Sequence, residues 1–260
     1  AACGEHEHRQ VGAGAQAPAH FQAVDVGQRE IEHERIEGVS KYAGGFWRYS
    51  SRVPDLVDVD DEGNPLRRKV GAAVDAAEAI FQKALEEGVD FLLVHHGLFW
   101  GKPFPIVGHH KRRLELLFQG GINLYAAHLP LDAHPEVGNN HELARALGLV
   151  EQEPFDVGVK GRFPLPTPLV QVADMLGQLT GMQPLVHQGG KGLVETVTIV
   201  SGGAASLIGQ VDTDLFITGE PKHSVFHETF ERGLNVIYAG HYDTEVFGVK
   251  ALARHLEARF

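Results

Sequence analysis

From Val70 onward the chain repeats one pattern: a short apolar run, a turn, then a stretch with helical periodicity. The runs are FLLV (91–94), INLYAA (122–127), TVTIV (196–200), DLFITG (214–219) and NVIYAG (235–240). Each has the length and near-continuous hydrophobicity of a strand covered on both faces. Between them, AVDAAEAIFQKALEEG places Ala77, Ile80, Phe81, Ala84 and Leu85 on one helical stripe, and Gly88 marks its stop. HHKRRLELLFQGG (109–121) and NNHELARALGL (139–149) read as further helices, with Asn139 or Asn140 available as a cap. Strands alternating with helices predict parallel βαβ units.

The expected fold class is therefore α/β, with two similar lobes of βα units and mainly parallel strands over about 66–150 and 194–260. They flank a distinct middle segment, 151–193. In that middle, TPLVQVADMLGQLTG predicts a helix capped by Thr167 with Pro168 at its first position. Further on, the pattern predicts a glycine-rich turn at SGGAAS (201–206), a helix from Lys222 and a terminal helix from Thr244. Residues 1–65 lack this rhythm. They are Gly-, Ala- and His-rich, then acidic (VPDLVDVDDEGNP), and read as an atypical, poorly packed leader.

Composition narrows the function. A net charge of −11 argues against a general binder of nucleic acid or anionic membrane, which needs a basic surface. No apolar run reaches the roughly 18–20 residues of a membrane span. The lone cysteine, Cys3, rules out an intrachain disulfide and a thiolate zinc site, and suits a reducing cytoplasm.

The chemistry gathers where strands end. His95 and His96 directly follow FLLV, and His128 follows INLYAA with Asp132 four residues on. His241 follows NVIYAG, with Glu245 four residues later, expected in the first turn of the last helix. Ligands of open α/β sheets bind beyond the carboxyl ends of the strands. If these strands are neighbours, imidazoles and carboxylates suited to a divalent cation share one cleft. Adjacent strand residues point to opposite sides, so His95 and His96 are expected to diverge, which suits two ions better than chelation of one. Each residue alone has an ordinary reading: Asp132 as a turn or cap aspartate, Glu245 as a helix N-terminal acid. The sequence holds 16 histidines, and it is the conjunction at three strand ends that points to metal.

Weaker signals lie elsewhere. His223 and His227 are four apart with no acid to complete a site, and read as a cleft rim or a solvated face. His109 and His110, beside Lys111, Arg112 and Arg113, read as a solvated face that could meet phosphate. The SGGAAS glycines could offer amides to an anion. A GxSxG elbow, a GxGxxG and a GxxxxGK[ST] loop are all lacking.

The stretches VHHGLFW, NLYAAHLPLD, DLFITGEPKHSVFHE and GLNVIYAGHYDTEVFGVKALARHL resemble, in order, the Nif-three-like dinuclear metal centre proteins, also known as the GTP cyclohydrolase I type 2 family. The resemblance spans roughly Val70 to Phe260; the 1–65 leader lacks the family's opening helix and N-G-L-Q-type segment. Carried over by motif, the family's metal ligands fall on His95, His96, Asp132, His241 and Glu245, with Glu245 bridging two divalent ions. Zinc, iron, manganese and cobalt all suit such nitrogen and oxygen ligands. The resemblance further implies a toroidal homohexamer and metal-dependent hydrolysis of GTP or a related nucleotide. In this reading His128 would shuttle protons or orient the substrate, and the Lys222–His223 region would meet the triphosphate. The other readings are a phosphoesterase and a non-enzymatic metal-binding scaffold or regulator.

Overall fold

The computed structural model describes residues 22–26 and 68–259. Of the 1–65 segment only Gln22–Val26 (β1) falls among them, and the rest of the expected leader lies outside the described residues. Two sheets carry the fold. The first has the order β1-β2-β3-β4, where β2 is Arg68–Asp75, β3 Phe91–His96 and β4 Asn123–Ala126. Strands β2, β3 and β4 run parallel, and β1 adds antiparallel at the edge. The second sheet has the order β5-β6-β8-β9-β10-β7. Its centre, β8 (Leu193–Ile199), β9 (Leu215–Thr218) and β10 (Asn235–Tyr238), is parallel. Each half thus has three sequential parallel strands at its core, as the alternating pattern predicts. The middle segment supplies β5 (Val150–Phe155), β6 (Gly158–Pro168) and β7 (Leu185–Gln188), which flank the second sheet and pair antiparallel.

The period-2 alternation of side chains decides which helix covers which face. On the first sheet, Leu92 and Val94 point to α1 (Glu78–Glu86) and α2 (Gly108–Gly120), which bury Ile80, Phe81, Ala84 and Leu117 there. Leu93, with Val70, Ala72 and Val74, points the other way, onto Val246, Val249 and Ala253 of α7 (His241–Arg259). On the second sheet, Leu215, Ile217 and Ile237 meet Leu143 and Ala144 of α4 (Asn139–Ala146) and Val172 and Leu176 of α5 (Leu169–Thr180). Phe216 and Val236 face a 3-10 turn at Ala205–Gln210 and the region of α6 (Phe226–Glu231). The helix that follows the first sheet therefore covers the second, and the helix that follows the second covers the first. Among the described residues no helix is long and apolar enough to cross a membrane.

Several element ends differ from expectation. Helix α4 is capped by Gly138, and Asn139 and Asn140 sit inside its first turn, fully buried. Their side chains bond to other parts of the chain, an option local capping rules do not foresee. Thr167 belongs to β6 and donates to Leu165 O, so α5 starts at Leu169 with Pro168 as its cap. The expected helix at Lys222 is a 3-10 turn, His223–Val225, that leads into α6. The last helix starts at His241 rather than Thr244, which places Glu245 in its second turn.

Helices α4 and α7 pack together, and one of their contacts depends on a small residue. Gly248 donates its N–H to Asn139 Oδ1 at 2.6 Å, and a Cβ at Gly248 would lie 2.8 Å from that oxygen. Gly248→Val is expected to cost about 1–3 kcal/mol by forcing the helices apart, read as a lower melting temperature. An unchanged melting temperature would show that the contact is loose.

Candidate metal centre

The mouths of the two sheets bring six donor side chains together: His95, His96, His128, Asp132, His241 and Glu245. His95 and His96 close β3, and His128 caps the short helix α3 (Leu129–Ala133) that holds Asp132. His241 and Glu245 lie one turn apart on α7, on one helical face. They form overlapping groups whose ligand atoms lie within 4.8 Å of one another: His95 with Asp132 and Glu245, His96 with His241 and Glu245, and His95 with His96 and His128.

Glu245 stands at the centre. It is 3% exposed, and its Oε1 lies 3.6 Å from His95 Nε2 and 3.2 Å from His241 Nε2, while its Oε2 lies 3.2 Å from His96 Nε2. The expected divergence of His95 and His96 is realised only in part. Their rings are 4.8 Å apart and take different oxygens of the same carboxylate. Strand alternation fails to separate them because the strand ends there and α7 brings its acid up between them.

The remaining ring nitrogens are held from outside. His95 Nδ1 donates to Ala127 O at 3.0 Å, and His96 Nδ1 to Asp75 Oδ1 at 2.8 Å. His241 Nδ1 lies 3.2 Å from Glu220 Oε2. Placing the proton on each Nδ1 leaves each Nε2 lone pair aimed at the cluster, the arrangement that second-shell acceptors impose on metal-binding imidazoles. Asp132 is divided in the same way. Its Oδ1 accepts from Asn139 Nδ2 and Ser201 Oγ, both at 2.9 Å, and its Oδ2 turns to His95 Nε2 at 3.5 Å. Ser201 and Asn140 close the net, since Asn140 Oδ1 accepts Ser201 N at 2.7 Å.

These donors fit a divalent cation. His95 Nε2 and Glu245 Oε2 are buried yet make no aligned hydrogen bond. Ligands about 2.0–2.2 Å from a tetrahedral ion stand roughly 3.4 Å from one another, and the inward-facing atoms here are separated by 3.2–3.6 Å. The glycine loop makes room for them. Gly202 has φ +66°, and a Cβ there would fall 2.2 Å from Glu245 Oε1. Its N–H donates to Thr244 Oγ1 at 3.0 Å, which ties the loop to α7. Gly202 of SGGAAS thus serves close approach to Glu245, and Gly203 stands against Glu220 and His241.

Electrostatics in the metal-free chain follow from the same contacts. Burial opposes a charge on Glu245, but His241, His95 and His96 outweigh it and hold the carboxyl far below its usual range. Burial also disfavours a charged His96, yet Asp75 and Glu245 raise it to about 10. Glu245 raises His241 to about 9, with burial opposing and Glu220 assisting. Burial, with His95 and His96 close by, lowers His128 to about 4, so this half-buried ring is neutral. Burial raises Asp132 against the pull of His95 and its hydrogen bonds.

Lys222 and His223 are not brought into the cluster. Both are exposed, and they connect to it only along the chain, through Glu220. His223 and His227 are exposed on separate elements and form no common site. The sequence reading missed Asp75, Asn139, Asn140, Ser201 and Glu220. The quoted ITGEPKH already contained Glu220, and a carboxylate beside a strand-end motif was the available signal.

Two sheets with a nitrogen- and oxygen-donor cluster at their common mouth define an α/β protein with a candidate metal centre. The family model of Duf34/NIF3 (NGG1p interacting factor 3) matches residues 58–260, and the chain belongs to that family. It is 47% identical over 245 residues to the "GTP cyclohydrolase 1 type 2 homolog" of Deinococcus radiodurans, covering 90% of this chain and 92% of that protein. It is 42% identical over 200 residues to the protein of the same name from Archaeoglobus fulgidus, covering 74% and 80%. Among solved structures, TTHA1606 from Thermus thermophilus superposes with a TM-score of 0.71 at 83% identity, covering 74% of this chain and 79% of that one.

Two predictions arise here. His96 and His241, raised to about 10 and 9, hold protons at pH 7 that a cation must displace. Zinc uptake by the metal-free chain at pH 7 should therefore release about two protons, seen as a dependence of the calorimetric heat on buffer ionisation enthalpy. A heat independent of buffer would contradict it. The sign for folding is equally definite. These raised values stabilise the metal-free fold fully below pH 6.5, and that contribution is lost as the pH climbs through 9 to 10. The second prediction concerns the loop: Gly202→Ala should lower metal content well below that of the wild type, and full occupancy would show that the loop does not shape the site.

Proposed function

We propose that this protein is a dinuclear divalent-metal hydrolase of the GTP cyclohydrolase I type 2 kind. The observation that carries the reading is the buried Glu245 carboxylate, with separate imidazoles at its two oxygens and Asp132 beside His95. In this reading His95 and Asp132 would hold one ion and His96 and His241 the other, with Glu245 shared between them. Cations so placed would polarise a substrate oxygen and bring the pKa of a bound water towards neutrality. Zinc, iron, manganese and cobalt all satisfy the donor set.

The chain's own residues do the rest. The outward acceptors Ala127 O, Asp75 and Glu220 keep three imidazoles turned inward. His128 is neutral, half-buried and 4.9 Å from the His95 ring, so it can accept a proton from the reacting water and pass it on. Trp100 packs edge-on against His128 at 4.7 Å and holds that ring in place. Lys222 and His223, on the exposed loop after Glu220, are the rim contacts for a triphosphate in this reading. The name of the relatives, GTP cyclohydrolase 1 type 2 homolog, favours GTP as substrate; the reaction in this reading would open the guanine ring hydrolytically and release formate. A toroidal homohexamer in the cytoplasm completes the proposal.

The test combines metal analysis with a formate assay. The protein should carry about two divalent ions per chain and release formate from GTP. Glu245→Gln should lose one or both ions and the activity while keeping its fold. Full metal content in that variant would exclude the bridge. Two retained ions in the wild type, with no formate from GTP and no product from a generic phosphodiester, would leave the metal-binding scaffold as the reading.

A further inference from the structure

Next to the cluster, between the β3–α2 loop and α2, lies a cleft of about 490 Å³. Its lining runs from His96 past Trp100 and Phe104 to His110 and Arg113. Trp100 belongs to both spaces. Its indole N–H donates back to Gly97 O at 2.5 Å, and its ring stands 5.9 Å from His96 and 4.7 Å from His128. The cleft therefore opens directly onto the candidate metal centre.

The far end of the cleft holds unused polar groups. Arg113 Nε and His110 Nδ1 are buried without a hydrogen-bond partner. Polar atoms so placed ordinarily have a partner, which marks these two for a ligand. The neighbouring acids are already engaged. Glu78 takes Arg112 Nε at 2.9 and 3.1 Å, and Asp75, the carboxylate in the lining, takes His96 Nδ1 at 2.8 Å. Phe104 stacks on His110 at 3.9 Å and fixes that ring against the cleft wall. Phe99 and Trp100 are 64% and 49% exposed, so the loop presents flat aromatic surface beside the opening.

We propose that this cleft is the oxyanion subsite of the substrate, with Arg113 and His110 as its specificity-determining residues. A phosphate or carboxylate group binds at Arg113, whose planar fork matches either anion. A planar part of the same molecule lies along Trp100, and the bond to be hydrolysed reaches the cluster beyond His96. This inference rests on the hydrolase reading for what occurs at the cluster, and it adds an anion site on α2 to the exposed rim at Lys222 and His223.

The test titrates the full-length protein, at measured metal content, with inorganic pyrophosphate and with succinate. Arg113→Gln should weaken binding of the preferred anion at least tenfold with metal content and melting temperature retained. Lys191→Gln, on the exposed turn before β8, should change it less than twofold. Arg113→Lys, which keeps the charge but loses the fork, should fall between them and stands in if Arg113→Gln does not fold. Tighter binding of pyrophosphate identifies the group as phosphate, and tighter binding of succinate as carboxylate. Binding of neither anion by the wild type, or binding unchanged in both Arg113 variants, overturns the subsite. The formate assay separates the two readings. Anion binding that depends on Arg113 without any formate keeps the subsite and sinks the hydrolase. Formate release from GTP at an unchanged KM in Arg113→Gln sinks the subsite and keeps the hydrolase.

Discussion

A carboxylate removed from water costs several kcal/mol unless opposite charge and hydrogen bonds meet it, and Glu245 is buried between three imidazoles, two from the end of β3 and one from the start of its own helix α7. This placement governs much of the rest. Helix α7 must begin at His241 so that His241 and Glu245 share one face. Gly202 must lack a side chain so that the β8 loop can pass against the carboxylate. Strand β3 must end where it does so that both of its histidines reach the same acid.

The two halves of the chain are joined by the same residues. The buried net of Asp132, Asn139, Asn140 and Ser201 connects α3 and α4 to the loop after β8, and Gly248 of α7 donates into it through Asn139. Each member fixes another, so one inward oxygen of Asp132 is left for the cluster. Buried polar networks of this kind are costly when incomplete. Substitutions at Asn139 or Ser201 thus bear on site geometry and stability together, although neither residue lies at the cluster. The exchange of covering helices between the sheets adds to this coupling, because moving either sheet also moves the helix that positions the other's ligands.

Much of this was legible in the residues. Short apolar runs separated by helical stripes gave the parallel strands of both sheets, since such runs need cover on both faces. The strand-end positions marked His95, His96, Asp132, His241 and Glu245 as candidates, but only β3 and β4 are neighbours; β10 belongs to the other sheet, and it is α7 that carries His241 and Glu245 to the first sheet's histidines. The order of the sheets and the exchange of α4 and α7 depend on long-range packing and left no local mark. The same holds for Asn139 and Asn140. Their sequence signature is that of a cap, and only the approach of Ser201 and Gly248 gives them a different task. Asp75 and Glu220 act through the backs of histidine rings, a relation invisible until the strands are paired. Lys222 and His223 follow Glu220 in the same motif but are exposed, outside the cluster itself.

The central claim is that Glu245 is the shared ligand of two cations. Anomalous diffraction from crystals of the metal-loaded protein, collected at the absorption edge of the bound element, tests it directly. The account predicts two peaks on either side of the Glu245 carboxylate, one against His95 and Asp132 and the other against His96 and His241. A single peak that does not touch Glu245, or no peak within the cluster, would contradict it.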